Sequence, residues 1–338
     1  MQGDELRPPS VFTGLVDLAA ASLGGRALGT SDDFFASVDN LVQPGRGEWR
    51  EGAYTDRGKW MDGWESRRRR GGGPFDWAVV ELGAPGLVRA FDIDTNHFTG
   101  NHAAFAAVDL AAIEPGAPGE LDLEALSWTE ALPPTPLAGG AQNLLLAATP
   151  TLATHARLRI YPDGGVARFR VYGDVQPRWP ALDQRVDLAA LRNGGRALAC
   201  SDMFFSPMAN AIAPGDPADM GGGWETRRRR HGRPHDWLIL ELGARGTVER
   251  VELDTLFFKG NYPDRASVLA VDAPGASTPE LMLPDTPWRP LVVDEALGPN
   301  ARHAFDLSEP TPPFTHVRLD IVPDGGISRL RVLGKRTP

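Results

Sequence analysis

The chain is written twice. Val16 to Ala20 reads Val-Asp-Leu-Ala-Ala and recurs at Val186 to Ala190. Gly-Gly-Arg-Ala-Leu at Gly24 to Leu28 returns at Gly194 to Leu198. Ser31-Asp32 with Phe34-Phe35 returns as Ser201-Asp202 with Phe204-Phe205. After a segment around Glu48 to Lys59 that only the first copy has, Gly-Trp-Glu-Ser-Arg-Arg-Arg-Arg from Gly63 reappears as Gly-Trp-Glu-Thr-Arg-Arg-Arg-Arg from Gly223. Asp76-Trp77 with Glu81-Leu82-Gly83, Asp94-Thr95 with Phe98, Gly100 and Asn101, and Pro162-Asp163-Gly164-Gly165 all have counterparts in the same order. A repeat of this length predicts two copies of one domain rather than a solenoid. The expected domains are residues 15–173 and 181–334, joined through Asp174 to Pro180, where Pro177 and Pro180 stiffen the connector.

Within each copy the period is two. Leu158 and Ile160 alternate with arginines, as do Phe169 and Val171 beyond the Asp-Gly-Gly turn, and the pair reads as a half-buried hairpin. Phe91, Ile93 and Thr95 alternate with Ala90, Asp92 and Asp94, while Trp77 to Leu82 is a continuous apolar run suited to a strand covered on both faces. With 38 glycines and 30 prolines to make turns, the expected fold is all-β: two tandem jelly-roll β-sandwiches. Helix is confined to single turns near Asp32 to Ser37 and Leu121 to Leu126. A net charge of −9 excludes the broad basic surface of a nucleic-acid binder, and no apolar run is long enough to span a membrane. One cysteine, Cys200, and a start with no basic, apolar leader fit a cytoplasmic protein.

Function in a sandwich belongs to its loops. Trp64-Glu65 followed by Arg67 to Arg70 concentrates cationic forks suited to a carboxylate, and alternation along an extended chain should split the four arginines between opposite sides. The loop Asp94-Thr95-Asn96-His97 to Asn101-His102 holds a carboxylate and imidazoles for general acid and base work. No spacing motif marks a metal site and metal dependence stays open; a divalent ion, if used, would draw on Asp94, His97 and His102. Arg26 and Asp32 are weaker site candidates, Phe34 and Phe35 read as core, and His155 and His316 as structural. Trp60, Trp64 and Trp224 would supply stacking faces if the chain were instead a non-catalytic carbohydrate or small-ligand binder.

Taken together, the paired Gly-Trp-Glu-Ser/Thr-Arg, Asp-Trp, Glu-Leu-Gly and Asp-Thr-x-x-Phe-x-Gly-Asn motifs resemble the allantoicase family across about Leu15 to Leu333. The resemblance implies galactose-binding-like domains, a homo-oligomer, and hydrolysis of allantoate to (S)-ureidoglycolate and urea in purine degradation; an enzyme acting mainly on ureidoglycolate is the nearest variant. The chemistry then assigns Asp94, His97 and Glu65 to catalysis. Arg67, Arg68, Asn96, Asn101 and Trp64, with Glu225, Arg227, Asp254, Lys259 and Asn261 of the second copy, are assigned to substrate. Asn96-His97 becomes Leu256-Phe257 and His102 becomes Tyr262, so the copies are not equivalent, and the first is the expected catalytic one.

Overall fold

The computed structural model describes residues 12, 14–71, 73–114, 122–123, 125–230, 235–309 and 311–338. The chain divides into two units between Pro177 and Arg178. In the first unit the strands are β1 (Val16–Asp17), β2 (Arg26–Thr30), β3 (Tyr54–Thr55), β4 (Gly58–Lys59), β5 (Trp64–Glu65) and β6 (Asp76–Asp94). They continue as β7 (Phe105–Ala111), β8 (Thr129–Pro136), β9 (Leu144–Tyr161), β10 (Gly165–Val166) and β11 (Arg168–Val175). The second unit runs β12 (Val186–Asp187), β13 (Arg196–Cys200), β14 (Trp224–Glu225), β15 (Asp236–Asp254) and β16 (Arg265–Val271). After a short helix α1 (Thr278–Leu281) come β17 (Arg289–Ala296), β18 (Arg302–Asp306), β19 (Phe314–Val322), β20 (Gly326–Ile327) and β21 (Arg329–Arg336). No described helix is long and apolar enough to cross a membrane.

The strand order β1-β11-β6-β9-β7-β8, with β2 also on β6, recurs as β12-β21-β15-β19-β16-β17, with β13 and β18 on β15. All these pairings are antiparallel. The sandwich is built on β6. Its first part, to Glu81, pairs with β2 and the end of β9; its second, from Gly86, pairs with β11 and the start of β9. The register breaks between Glu81 and Gly86, which is where a strand passes from one layer of a sandwich to the other. The glycine of Glu-Leu-Gly belongs to that corner. A Cβ on Gly83 would stand 2.6 Å from the Leu23 carbonyl, and one on Gly243 would stand 1.8 Å from the Asn193 oxygen.

The apolar halves of the alternating strands meet between the layers. Phe91, Ile93, Phe169 and Val171 are fully buried, and the rings of Phe91 and Phe169 stack with centroids 6.3 Å apart. Leu253, Leu319, Leu330 and Val332 repeat the arrangement. Each such side chain contributes about 1.5–3 kcal/mol through burial.

Several features differ from the expectation. The strands flanking Pro-Asp-Gly-Gly do not form a hairpin: β9 and β11 lie on opposite sides of β6, and between them β10 pairs with β5. Alternation reports that a strand has one buried face, not which strand lies beside it. The charged faces of β6 and β11 are also covered. Arg46 grips Asp94 through two bonds of 2.9 Å, Arg168 reaches Asp62 at 2.8 Å, and Arg170 donates to the Gln43 and Gly45 carbonyls at 2.6 Å. Finally, Phe34 and Phe35 are not core; they are 38% and 37% exposed, and Phe204 and Phe205 are 62% and 61% exposed. The single turn expected at Asp32 to Ser37 falls just later, as a tight turn over Val38–Val42 capped by the Ser37 hydroxyl. The expected turn at Leu121 to Leu126 lies partly outside the described residues.

Candidate active site

The two-residue pairing of β5 with β10 sets the site. Trp64 faces inward, wholly buried, and its indole Nε1 donates to the Asp32 carbonyl at 2.8 Å. Successive side chains of a strand point to opposite faces, so burial of Trp64 turns Glu65 outward into a cavity of about 1000 Å³. Gly165, across from Glu65, admits no side chain, because a Cβ there would stand 2.0 Å from the Phe98 ring. The cavity is lined by Asp32, Phe35, Glu65, Arg67 to Arg70, Asp76, Asn101, His102 and Asp163, among others.

Its charges are mostly spoken for. Asp32 accepts the Arg67 amide N–H at 2.8 Å and the Arg67 Nε at 2.7 Å. Partial burial of Asp32 works against ionisation, but the two Arg67 donors and the Phe34 N–H outweigh it and hold the carboxyl below its ordinary range. Arg69 pairs with Asp76, and its amide N–H donates to Asp163 Oδ2 at 2.7 Å. Arg68 and Arg70 are exposed to the cavity and make no ion pair with any described residue. The expected alternation is therefore real in the partners of the four arginines but not in their placement, since all four line one cavity.

Glu65 is the remaining acid. The Asn101 side-chain amide donates to its Oε1 at 2.8 Å, and the Asn101 carbonyl accepts the Gly165 N–H at 2.8 Å. Burial raises the Glu65 carboxyl above its usual range, and the Asn101 bond opposes that shift only in part. His102 lies alongside, with Nδ1 buried and without a hydrogen-bond partner among the described residues.

Of the residues the sequence nominated, Glu65, Arg67, Arg68, Asn101 and His102 meet here, and several others do not. Asp94 is 2% exposed and is held by Arg46 beneath the covering segment. Asn96 donates to the Gly47 carbonyl at 2.8 Å, and His97, in a left-handed conformation with φ 67°, packs its ring 5.7 Å from Trp49. Asp94, His97 and His102 thus form no metal site, and among the described residues no three His, Cys, Asp or Glu side chains gather to hold an ion. Trp64 is wholly buried and does not line the cavity, and Trp224 is buried in the same way with Nε1 on the Asp202 carbonyl at 2.9 Å, so neither offers a sugar-stacking face. Arg26 pairs with Glu81 outside the cavity. His155 and His316 are buried on Thr154 and Thr315 hydroxyls, and burial lowers both imidazoles.

Asp163 and the part of Asp32 in holding Arg67 were not expected from the sequence, and Arg70 entered only as one of the run of four arginines. The available signal was the joint duplication of the aspartates with the arginine run: Asp202 holds Arg227 and Asp324 accepts the Arg229 N–H at 2.7 Å. Asn261 likewise donates to Glu225 Oε1 at 2.5 Å. Asp254 stands apart, 3.3 Å from Arg302, and Lys259 is exposed.

A family model described as the allantoicase repeat matches residues 16–176 and 186–337. A probable allantoicase of Stutzerimonas stutzeri is 46% identical over 327 residues, covering 96% of this chain and 97% of the relative. Probable allantoicase 1 of Burkholderia mallei is 44% identical over 322 residues, covering 94% of each. The crystal structure of allantoicase from Saccharomyces cerevisiae superposes with a TM-score of 0.80 at 33% identity, covering 95% of this chain and 93% of that one. With both repeats matched by the family model and nearly the full length shared with these relatives, the chain belongs to the allantoicase family.

Proposed function

We propose that the first-repeat cavity is where the chain, a hydrolase of a linear amidine-type C–N bond, converts allantoate and water to (S)-ureidoglycolate and urea. One observation carries the assignment of the site: a half-buried Glu65, its carboxyl raised by burial and aimed by Asn101, stands in the same cavity as Arg68 and Arg70, whose guanidinium groups have no ion pair among the described residues. Allantoate carries one carboxylate and two ureido groups on a single carbon. Arg68 and Arg70 clamp the carboxylate, and the Asn101 amide oxygen accepts a ureido N–H.

Protonated Glu65 then gives its proton to the ureido nitrogen whose bond to the central carbon breaks, and urea leaves. The nitrogen of the remaining ureido group shares its lone pair with that carbon, forming a C=N bond and a cation, which the now ionised Glu65 stabilises. Water adds to the carbon and Glu65 takes its proton, so the side chain ends as it began and the product is a hydroxyl acid with one ureido group. The catalytic role first given to Asp94 and His97 passes to Glu65, because neither of those side chains lines the cavity. A cytoplasmic enzyme remains part of this reading, supported by the single free Cys200, and a homo-oligomer remains part of it on the family resemblance alone.

Product analysis tests it. With allantoate, allantoin and ureidoglycolate offered separately, the reading expects one urea and one ureidoglycolate per allantoate consumed. Preferential turnover of ureidoglycolate would overturn it.

A further inference from the structure

The second repeat keeps the frame of the cavity but loses its cover. Trp224 is buried beneath Glu225, Asn261 holds Glu225 at 2.5 Å, and Asp202 and Asp324 fix Arg227 and the Arg229 amide. Arg228 and Arg230 are exposed and make no ion pair with a described residue. In the first repeat, the hairpin of β3 and β4 lies over the aromatic pair at the mouth. Arg57 donates to the Phe34 carbonyl at 3.3 Å with its guanidinium 5.3 Å from the Phe34 ring, and Gly58 sits against Phe35. The second repeat has no such segment, and exposure of the pair rises from 38% and 37% to 62% for Phe204 and 61% for Phe205.

The uncovered mouth adjoins the anion frame directly. The Phe205 N–H donates to the Glu225 carbonyl at 3.3 Å, and Arg227 lies 4.9 Å over the Phe204 ring. Met220, 44% exposed, brings its sulfur to 3.7 Å from the Asn261 amide. An apolar wall therefore stands beside an acid and an amide, next to Arg228 and Arg230, which are the counterparts in the repeat of the cavity-lining Arg68 and Arg70 and have no ion pair among the described residues. A ligand matching all of these has a carboxylate, a ureido group and an apolar substituent.

We propose that the second repeat is a separate binding site for N-carbamoyl α-amino acids with apolar side chains. Arg228 and Arg230 take the carboxylate, Glu225 and the Asn261 amide oxygen take the ureido N–H groups, and Phe204, Phe205 and Met220 cover the side chain. The inference rests on reading the first-repeat frame as a ureide site, and it adds a ligand class that the hairpin-covered first repeat does not favour.

Calorimetric titration of the full chain with N-carbamoyl-L-phenylalanine tests it. The expected result is one site per chain that persists in the Arg68→Ala/Arg70→Ala protein. The site weakens at least about tenfold in Arg228→Ala/Arg230→Ala and in Glu225→Gln. Phe205→Ala also weakens this probe by about tenfold while leaving ureidoacetate, which lacks the apolar side chain, unchanged at the same site. Circular dichroism confirms that each variant is folded. Absence of saturable binding, or binding that disappears with Arg68 and Arg70 instead, overturns the proposal. Urea release from allantoate separates the two readings. A chain that releases urea through Glu65 but ignores this probe defeats the second site alone, whereas a chain that binds the probe but turns over allantoate independently of Glu65 defeats the first-repeat assignment alone.

Discussion

The side-chain amide of Asn101 donates to Glu65 Oε1 across 2.8 Å, joining the loop after β6 to the strand that carries the acid. The bond does two things. It aims the carboxyl into the cavity, and it offsets part of the burial that raises the carboxyl above its usual range. Asn101→Ala should therefore let Glu65 rise further. In the proposed mechanism Glu65 acts first as an acid, so kcat/KM falls as pH climbs past its pKa, and this descending limb should move to higher pH in Asn101→Ala. An unmoved limb in pH-rate profiles of the two proteins would separate Glu65 from the titrating group.

Arg68 and Arg70 should carry substrate affinity, because Arg67 and Arg69 already have carboxylate partners. Loss of a charge-assisted bond of about 1.5–3 kcal/mol predicts a fall in kcat/KM of roughly 10- to 100-fold for Arg68→Ala. Arg68→Lys, which keeps the charge without the fork, should recover part of it. Steady-state kinetics on allantoate read both, and equal kcat/KM in all three proteins would remove Arg68 from the clamp.

Asp94 and His97 should affect the fold and not the chemistry. Asp94→Ala leaves Arg46 without its partner and should lower stability by about 1–3 kcal/mol in urea denaturation. His97→Ala should keep kcat within about twofold, since removing a ring that lines no part of the cavity leaves the transition state untouched. A large loss of kcat in folded His97→Ala would return the imidazole to the mechanism.

Asp92 should make the fold more stable in mild acid than in base. Burial first, with the neighbouring Asp94 charge in support, raises its carboxyl from 3.8 to about 6 against the opposing Gln142 bond, and its Oδ1 has no hydrogen-bond partner among the described residues. The neutral form is the one the fold prefers. Its stabilising contribution is full below 3.8 and lost as pH rises through 6. Asp92→Asn should thus be more stable than the parent at pH 8 by about 3 kcal/mol, with the advantage falling to roughly half at pH 5 and fading toward pH 4. Thermal melts across that range check it, and a pH-independent difference would contradict the buried neutral carboxyl.

The duplication, the two-layer β fold and the meeting of Glu65, Arg68 and Asn101 in one cavity were legible because each appears as a local pattern, twice. What could not be read locally was supplied by segments distant in sequence. Asp94 looked catalytic because Arg46, its partner, lies 48 positions away in the covering segment. Trp64 looked like a ligand platform because its burial depends on Asp32, 32 positions earlier. The apparent hairpin at Pro162 to Gly165 hid a crossing between layers, whose Asp163 steadies the arginine run. Phe34 and Phe35 looked like core since composition cannot tell an apolar rim from an apolar interior.

The most direct measurement is urea release from allantoate by the parent chain and Glu65→Gln at equal folded concentration. Removing proton transfer while preserving shape should lower kcat by about 10²- to 10⁴-fold with the Asn101 loop intact. Full turnover by folded Glu65→Gln would contradict the account at its centre and move the chemistry out of the first-repeat cavity.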